Sequence, residues 1–391
     1  MNNINPELHL FIIWERALYQ KKQIIEDIGK NFKILNIYNI QWDQDNYSNN
    51  LTRFYGENLP NGSEKELECG NGRFSLIVVM DNTPSYSERA TSKGVRIVNV
   101  NMFDSKTRYR AWTGGGHKIH ATNDINETRH DLFLLLGMTY EDCMTSAQTD
   151  KGTALVEENI NRNITGCIQW ESLQHLFLLL NQTTEYVVLR NFDRMPESYY
   201  EEEHGDIDIL VNDDPVNVSL LMNATPLYSK KYRVHYKVNI NNETVRFDIR
   251  HLGDGYYDEN WERHIIERRT LFKGFYVPDL ENFKYSLLYH ALVHKPVVSE
   301  DYSEKLASLG FEQGRFVNAL QEFMCSKGYS YSEPRDLSVH FNATIANRPI
   351  SLRRKIVSAK HKLMVIASSY LSPVLKAKIR RAIAKFLSIR P

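Results

Sequence analysis

Apolar residues along this chain fall into short continuous runs separated by stretches of helical spacing, a pattern that predicts strands alternating with helices. Residues 8–13 (Leu-His-Leu-Phe-Ile-Ile) predict a buried strand, 15–30 a helix with Ala17, Ile24, Ile25 and Ile28 apolar, and 33–40 a second strand. After a polar stretch rich in Asn, Gly and Glu, the runs at 74–80 and 95–102 add two more strands. Residues 127–136 read as a helix whose leucine run packs inward, and about 140–165 as a linker with helical portions. Together these predict a Rossmann-like α/β domain over residues 1–145 with a largely parallel sheet. Its binding edge is expected at the carboxyl ends of the strands, where it would take either a donor or an acceptor.

The pattern then changes. A helix over 170–180 leads to a strand at 186–189 that ends in Arg190-Asn191. Next comes His204-Gly205-Asp206-Ile207-Asp208-Ile209-Leu210-Val211, in which two carboxylates alternate with large apolar residues. Alternate side chains on a strand share a face, so Asp206 and Asp208 point one way while Ile207 and Ile209 point the other. A polar turn (Asn212-Asp213-Asp214-Pro215), a helical piece and two strands at 233–240 and 244–249 follow. The last of these carries Asp248 on the face opposite Phe247 and Ile249.

Two carboxylates on one face suit a hard cation such as Mg2+ or Mn2+, which takes oxygen ligands and is often shared with substrate phosphates. A third carboxylate on a neighbouring strand would complete the protein's share of a phosphoryl-transfer site. The competing reading is structural, since Asp-x-Asp on a strand is common and Asp248 has Arg246 and Arg250 beside it for surface pairing. Residues 106–130 concentrate a second set of polar signals: Lys106, Arg108, Arg110, Gly114-Gly115-Gly116-His117-Lys118, His120 and Arg129-His130. A triple glycine lets backbone N–H groups approach an anion, and Lys118 would add charge, so a phosphate contact is one reading and a plain turn the other. His117 and His120 lack a third ligand at recognisable spacing. His251, Asp254 and Asp258 follow the last strand closely, and His290 and His294 lie four apart on one helical face, where core or capping roles outweigh metal binding.

A helix, a strand with a polar end, Gly205-Asp206-Ile207-Asp208 on the next strand and a lone Asp248 about 40 residues later resemble the DNA polymerase β-like nucleotidyltransferase superfamily. Val187-Val188-Leu189-Arg190 and the later helix with His290 and His294 resemble its bacterial uncharacterised nucleotidyltransferase group, and more distantly the choline-phosphate and fukutin-like transferases. The resemblance covers about 165–330. It implies a mixed sheet with C-terminal helices over 165–335. It also implies Asp206, Asp208 and Asp248 as metal ligands, with Arg190, Asn191 and Gly205 near the nucleotide. The superfamily's Gly-Ser phosphate turn is replaced here by Arg190-Asn191, which turns the expectation from nucleotide transfer towards transfer of a phospho-alcohol from a CDP-linked donor onto a glycan.

Composition adds two points. The formal charge is zero over 391 residues, yet residues 351–391 hold eleven Lys/Arg and no acid, leaving 37 basic against 48 acidic residues in the rest. Basic and apolar residues alternate at helical spacing from Val374 onwards, so 350–391 reads as a basic amphipathic tail that meets a membrane surface or the chain's own acidic body. Aromatic residues are not interleaved with these cations, which disfavours nucleic acid. Cys69, Cys143, Cys167 and Cys325 lie far apart, arguing against a zinc site or disulfide framework. With a polar start and no long apolar run, the expectation is a cytoplasmic protein peripheral to the bacterial inner membrane, working in surface-polysaccharide assembly with a nucleotide-activated donor and a glycan or lipid-linked acceptor. The alternatives are a nucleotidyltransferase acting on a small molecule, protein or tRNA, a nucleotide-sugar glycosyltransferase, and a non-catalytic binding module.

Overall fold

The computed structural model describes residues 5–92, 94–149, 157–197, 205–228 and 234–356, and the fold is mixed α/β. The chain forms two compact units, Met1–Leu252 with Arg263–Asp279 and Gly253–Glu262 with Leu280–Pro391. Both five-stranded sheets belong to the first unit, so the linker expected at 140–165 lies inside one compact body.

The first sheet is built from β1 (Glu7–Ile13), β2 (Lys33–Gln41) and β3 (Phe74–Asp81), completed by short edge strands after a hairpin of β4 (Tyr86–Thr91) and β5 (Gly94–Asn99). The edges are β6 (Ile119–Ala121) and β7 (Glu157–Asn161), giving the order β6-β1-β3-β2-β7. β3 is buried at all eight positions and β1 at six of seven, as continuous apolar runs require. Phe11, Ile13, Ile77 and Val79 pack with Ile24 and Ile28 of the helix Lys21–Asn31 and with Met102 and Tyr109 of the helix Val100–Trp112. Each such burial is worth about 1.5–3 kcal/mol.

The expected largely parallel, Rossmann-like sheet is not what forms. β3 sits between β1 and β2 and runs antiparallel to both, β6 is antiparallel to β1, and β2–β7 is the parallel pair. Apolar runs reveal that strands exist and are buried; they do not encode which strand fills the slot between β1 and β2. Two boundaries move as well. The run at 95–102 divides into β5 and the start of the helix Val100–Trp112, because Asn99 caps that helix by accepting from Met102 N. Part of the expected linker supplies β7, after the helix Tyr140–Thr149.

The second sheet comprises β8 (Tyr186–Val188), β9 (Asp206–Val211), β10 (Thr225–Pro226), β11 (His235–Ile240) and β12 (Glu243–His251), in the order β10-β11-β12-β9-β8. β12 and β9 are parallel and the remaining pairs antiparallel, a mixed sheet as expected. Ser172 caps the helix Leu173–Thr183, whose Phe177 stacks on Tyr186 and on Phe275 of a small hairpin. Asp214 and Pro215 start the helix Pro215–Leu221 after β9, Pro occupying a position where a missing N–H costs nothing. Arg53, fully buried on the helix Tyr47–Tyr55, donates to the carbonyls of Leu220 and Leu221 and lies over Trp170, which ties the two sheets of this unit together. The negative end of the helix Pro215–Leu221 partly balances the buried guanidinium.

The second unit carries the helices Leu280–Val293, Glu300–Ser308 and Phe316–Lys327 around an aromatic core that includes Tyr256, Tyr257, Trp261 and Tyr289. Of the expected basic tail, residues 357–391 lie outside the described residues, and Arg354 pairs with Glu333 at 2.9 Å. No helix among the described residues is long and apolar enough to cross a membrane.

Candidate active site

Register decides the geometry of the second sheet's polar face. β9 and β12 pair so that Asp208 stands beside Asp248 and Asp206 beside Arg246. Asp206 lies two residues before Asp208, so all three carboxylates share one face. β11 brings His235 opposite Asp248 from the other side. The backbone N–H of Leu189 donates to Asp208 O at 2.9 Å, which carries the β8–β9 pairing one residue further and sets Arg190 beside the carboxylates.

Arg190 Nη2 donates to Asp208 Oδ1 at 2.6 Å, and both side chains are buried. Arg250 Nη2 lies 3.4 Å from Asp248 Oδ2, and His235 Nε2 lies 3.7 Å from Asp248 Oδ1, beyond hydrogen-bond reach. Asp248 Oδ1 is therefore a buried carboxylate oxygen with no hydrogen bond. Burial, reinforced by the charge of Asp208, pushes the Asp248 carboxyl up to about 6, against the opposing pull of Arg250 and His235. Asp206 is half-exposed.

The donor chemistry here is all oxygen, one of those oxygens is orphaned, and the two buried carboxylates repel each other. A hard cation suits the first of these and relieves the other two. The side chains are nonetheless not drawn together as a ligand set: no group of three or more His, Cys, Asp or Glu residues placed to hold a metal occurs among the described residues. The site is a shared face with carboxylates already engaged by Arg190 and Arg250.

The remaining predicted residues scatter. Asn191 follows Arg190 in a left-handed conformation (φ 58°), which Asn tolerates better than most residues. Gly205 is exposed, and a Cβ there would meet open space, so the position does not demand glycine. Lys118 belongs with the first sheet, where its Nζ donates to Thr113 O at 2.8 Å. The triple glycine beside it ends the helix Val100–Trp112 with three successive positive φ values. Gly115 N donates to Arg110 O at 2.7 Å, and His117 N donates to the Glu68 carboxylate at 2.7 Å. Glu68 occupies the space a bound anion would take, so this loop is a helix terminus holding its own anion and does not join Lys118 to the carboxylate face. His120 is bonded to Asp131, and His130 shares that aspartate.

In the second unit, the Asp258 carboxylate accepts from Asn260 N and from Ser330 N. Asp254 accepts from Tyr256 N. His290 Nδ1 lies 2.7 Å from Tyr256 Oη, and the His294 ring packs 4.1 Å from that of Tyr256, so both histidines belong to the buried aromatic core. Arg250 and His235 were not among the sequence-predicted site residues. The period-two pattern of β12 already put Arg250 on the face of Asp248, a readable signal, whereas His235 needed the β11–β12 register.

No protein family's model matches the chain, and no curated protein matches it. Among solved structures the chain is similar to the nucleoside diphosphate kinase of Aquifex aeolicus, at 14% identity over 32% of this chain and 92% of that one, with a TM-score of 0.22. A likeness at that level carries no argument about fold or activity.

Proposed function

We propose that this chain is a metal-dependent transferase that moves a phosphate-containing group from a nucleotide-activated donor of the CDP-linked type onto a glycan, during bacterial surface-polysaccharide assembly. The observation that carries the reading is the pairing of Asp208 with Asp248 on adjacent parallel strands, with one buried oxygen of Asp248 unsatisfied and Arg190 bonded to Asp208. The resemblance of 165–330 to nucleotidyltransferases supports it, and Arg190-Asn191 in place of the superfamily's phosphate turn favours a phospho-alcohol over a nucleotide as the group transferred.

Asp206, Asp208 and Asp248 are the side chains that would hold Mg2+ or Mn2+, whose chemistry is to neutralise charge on the phosphate oxygens. Arg190 presents a planar fork matched to phosphate geometry. An acceptor hydroxyl attacks phosphorus, the bond to the leaving nucleoside monophosphate breaks, and the hydroxyl proton passes to a base. The eleven cations of residues 351–391 support an anionic membrane surface as the setting for this work.

The test uses the full chain, Mg2+ and a panel of labelled CDP- and UDP-linked donors with glycan acceptors, alongside α-labelled nucleoside triphosphates. Asp208→Asn is expected to cut transfer about 1,000-fold, roughly 4 kcal/mol of transition-state stabilisation. Undiminished turnover by that variant would sink the reading. Incorporation of labelled nucleotide would replace it with nucleotidyl transfer.

A further inference from the structure

The level of the second sheet next to the paired aspartates carries an arrangement that folding alone disfavours. Across the strands, Thr225 of β10 stands beside Lys237 of β11, Lys237 beside Arg246 of β12, and Arg246 beside Asp206 of β9. Two residues along each strand lies the level of His235, Asp248 and Asp208, so both levels project from the same face. Lys237 and Arg246 are exposed, and among the described residues neither side chain has a hydrogen bond or ion pair. Like charges directly opposite on neighbouring strands sit about 5 Å apart at Cβ and repel. Asp206 is the cross-strand neighbour of Arg246, yet no ion pair joins them. Two unneutralised cations therefore stand side by side, one level away from a site whose own cations, Arg190 and Arg250, are engaged with Asp208 and Asp248.

Resting on the transferase reading of the adjacent carboxylates, we propose that Lys237 and Arg246 form a second anion subsite. It takes a further phosphate of a ligand whose first phosphate lies at Arg190 and the aspartates. The ligand is thus a molecule with two phosphates in series, either the diphosphate of an activated donor or neighbouring phosphates of a phosphodiester-linked acceptor. A phosphate bound between the two side chains removes their mutual repulsion and is gripped by charge-assisted hydrogen bonds from both. A lone phosphate can sit at one level or the other but cannot span both.

The experiment is calorimetric titration of the full chain at fixed ionic strength with three probes: inorganic phosphate, inorganic diphosphate and a short glycerol-phosphate oligomer. The wild-type chain is expected to bind diphosphate, the oligomer or both at least tenfold more tightly than phosphate. Lys237→Gln and Arg246→Gln are each expected to reduce that preference about tenfold, with phosphate still binding at the level of Arg190. Loss confined to diphosphate assigns the subsite to the donor, and loss confined to the oligomer assigns it to the acceptor. Binding of both larger probes by the two variants as by wild type, or the absence of any preference in wild type, overturns the subsite. Asp208→Asn, assayed for transfer in parallel, separates the two ideas: intact transfer with a sensitive Lys237 and Arg246 breaks the catalytic assignment alone, and lost transfer with insensitive cations breaks the subsite alone.

Discussion

Two buried aspartates of the same unit behave in opposite ways. Asp131, on the helix that packs against β1, is 2% exposed, and Asp248 on β12 is 8% exposed. Burial raises the carboxyl of each. At Asp131 this is outweighed by hydrogen bonds and charge from His120 and His130, each with a nitrogen 2.8 Å from a different carboxylate oxygen, and the net shift is downward. At Asp248 burial prevails with help from Asp208, one oxygen has no hydrogen bond, and the shift is upward. The same contrast extends to the surroundings. Asp81, in the first sheet, accepts from Thr83 N, Asn99 Nδ2 and Asn101 Nδ2, a network complete within the protein. A polar centre satisfied by its own chain works for the fold, and one left short of partners is where a ligand gains most.

The largest effect that can break this contrast is on stability. Asp131→Asn is expected to cost about 2–3 kcal/mol in urea unfolding at pH 7, the range for losing charge-assisted hydrogen bonds at a buried group. A loss of transfer with unchanged stability would instead make the His120 side a reaction centre.

The pH dependence is expected to be smaller and opposite in sign at the two sites. Asp248 holds its proton longer in the folded chain than in the unfolded one, so its contribution to stability falls as pH rises from about 4 through about 6. Asp131 is the reverse: its contribution is present above the unfolded carboxylate value near 4 and disappears as pH falls through its lowered value. Unfolding curves of Asp248→Asn should lose the decline between pH 4 and 6 and keep the acid-side loss. Retention of that decline would show that Asp248 is not its source.

The smallest effect sharpens the boundary of the site. Gly116→Ala sets a Cβ 2.6 Å from a Glu68 carboxylate oxygen at φ +75° and should lower stability by about 1–2 kcal/mol without altering diphosphate binding. Weakened binding at unchanged stability would restore the glycine loop as a ligand site.

Much of the second sheet was legible in the sequence. Alternation along β9 put Asp206 and Asp208 on one side, and alternation along β12 put Asp248 and Arg250 on one side, because a side chain's face depends only on its own strand. The existence of β1, β2 and β3 was legible for the same local reason. Their order and direction were not, since inserting β3 antiparallel between β1 and β2 is a choice among pairings that all bury the same apolar residues. Lys118 and the glycine loop misled because glycine spacing records backbone freedom, whereas the anion beside the loop, Glu68, comes from a helix 49 positions away from His117. Sequence by itself determined the long buried strands and the composition of each of their faces. The tertiary structure decided that Asp208 meets Asp248, that His235 meets Asp248 and that Lys237 meets Arg246. Such meetings depend on register between strands, and register is settled by packing and hydrogen bonding across the whole sheet.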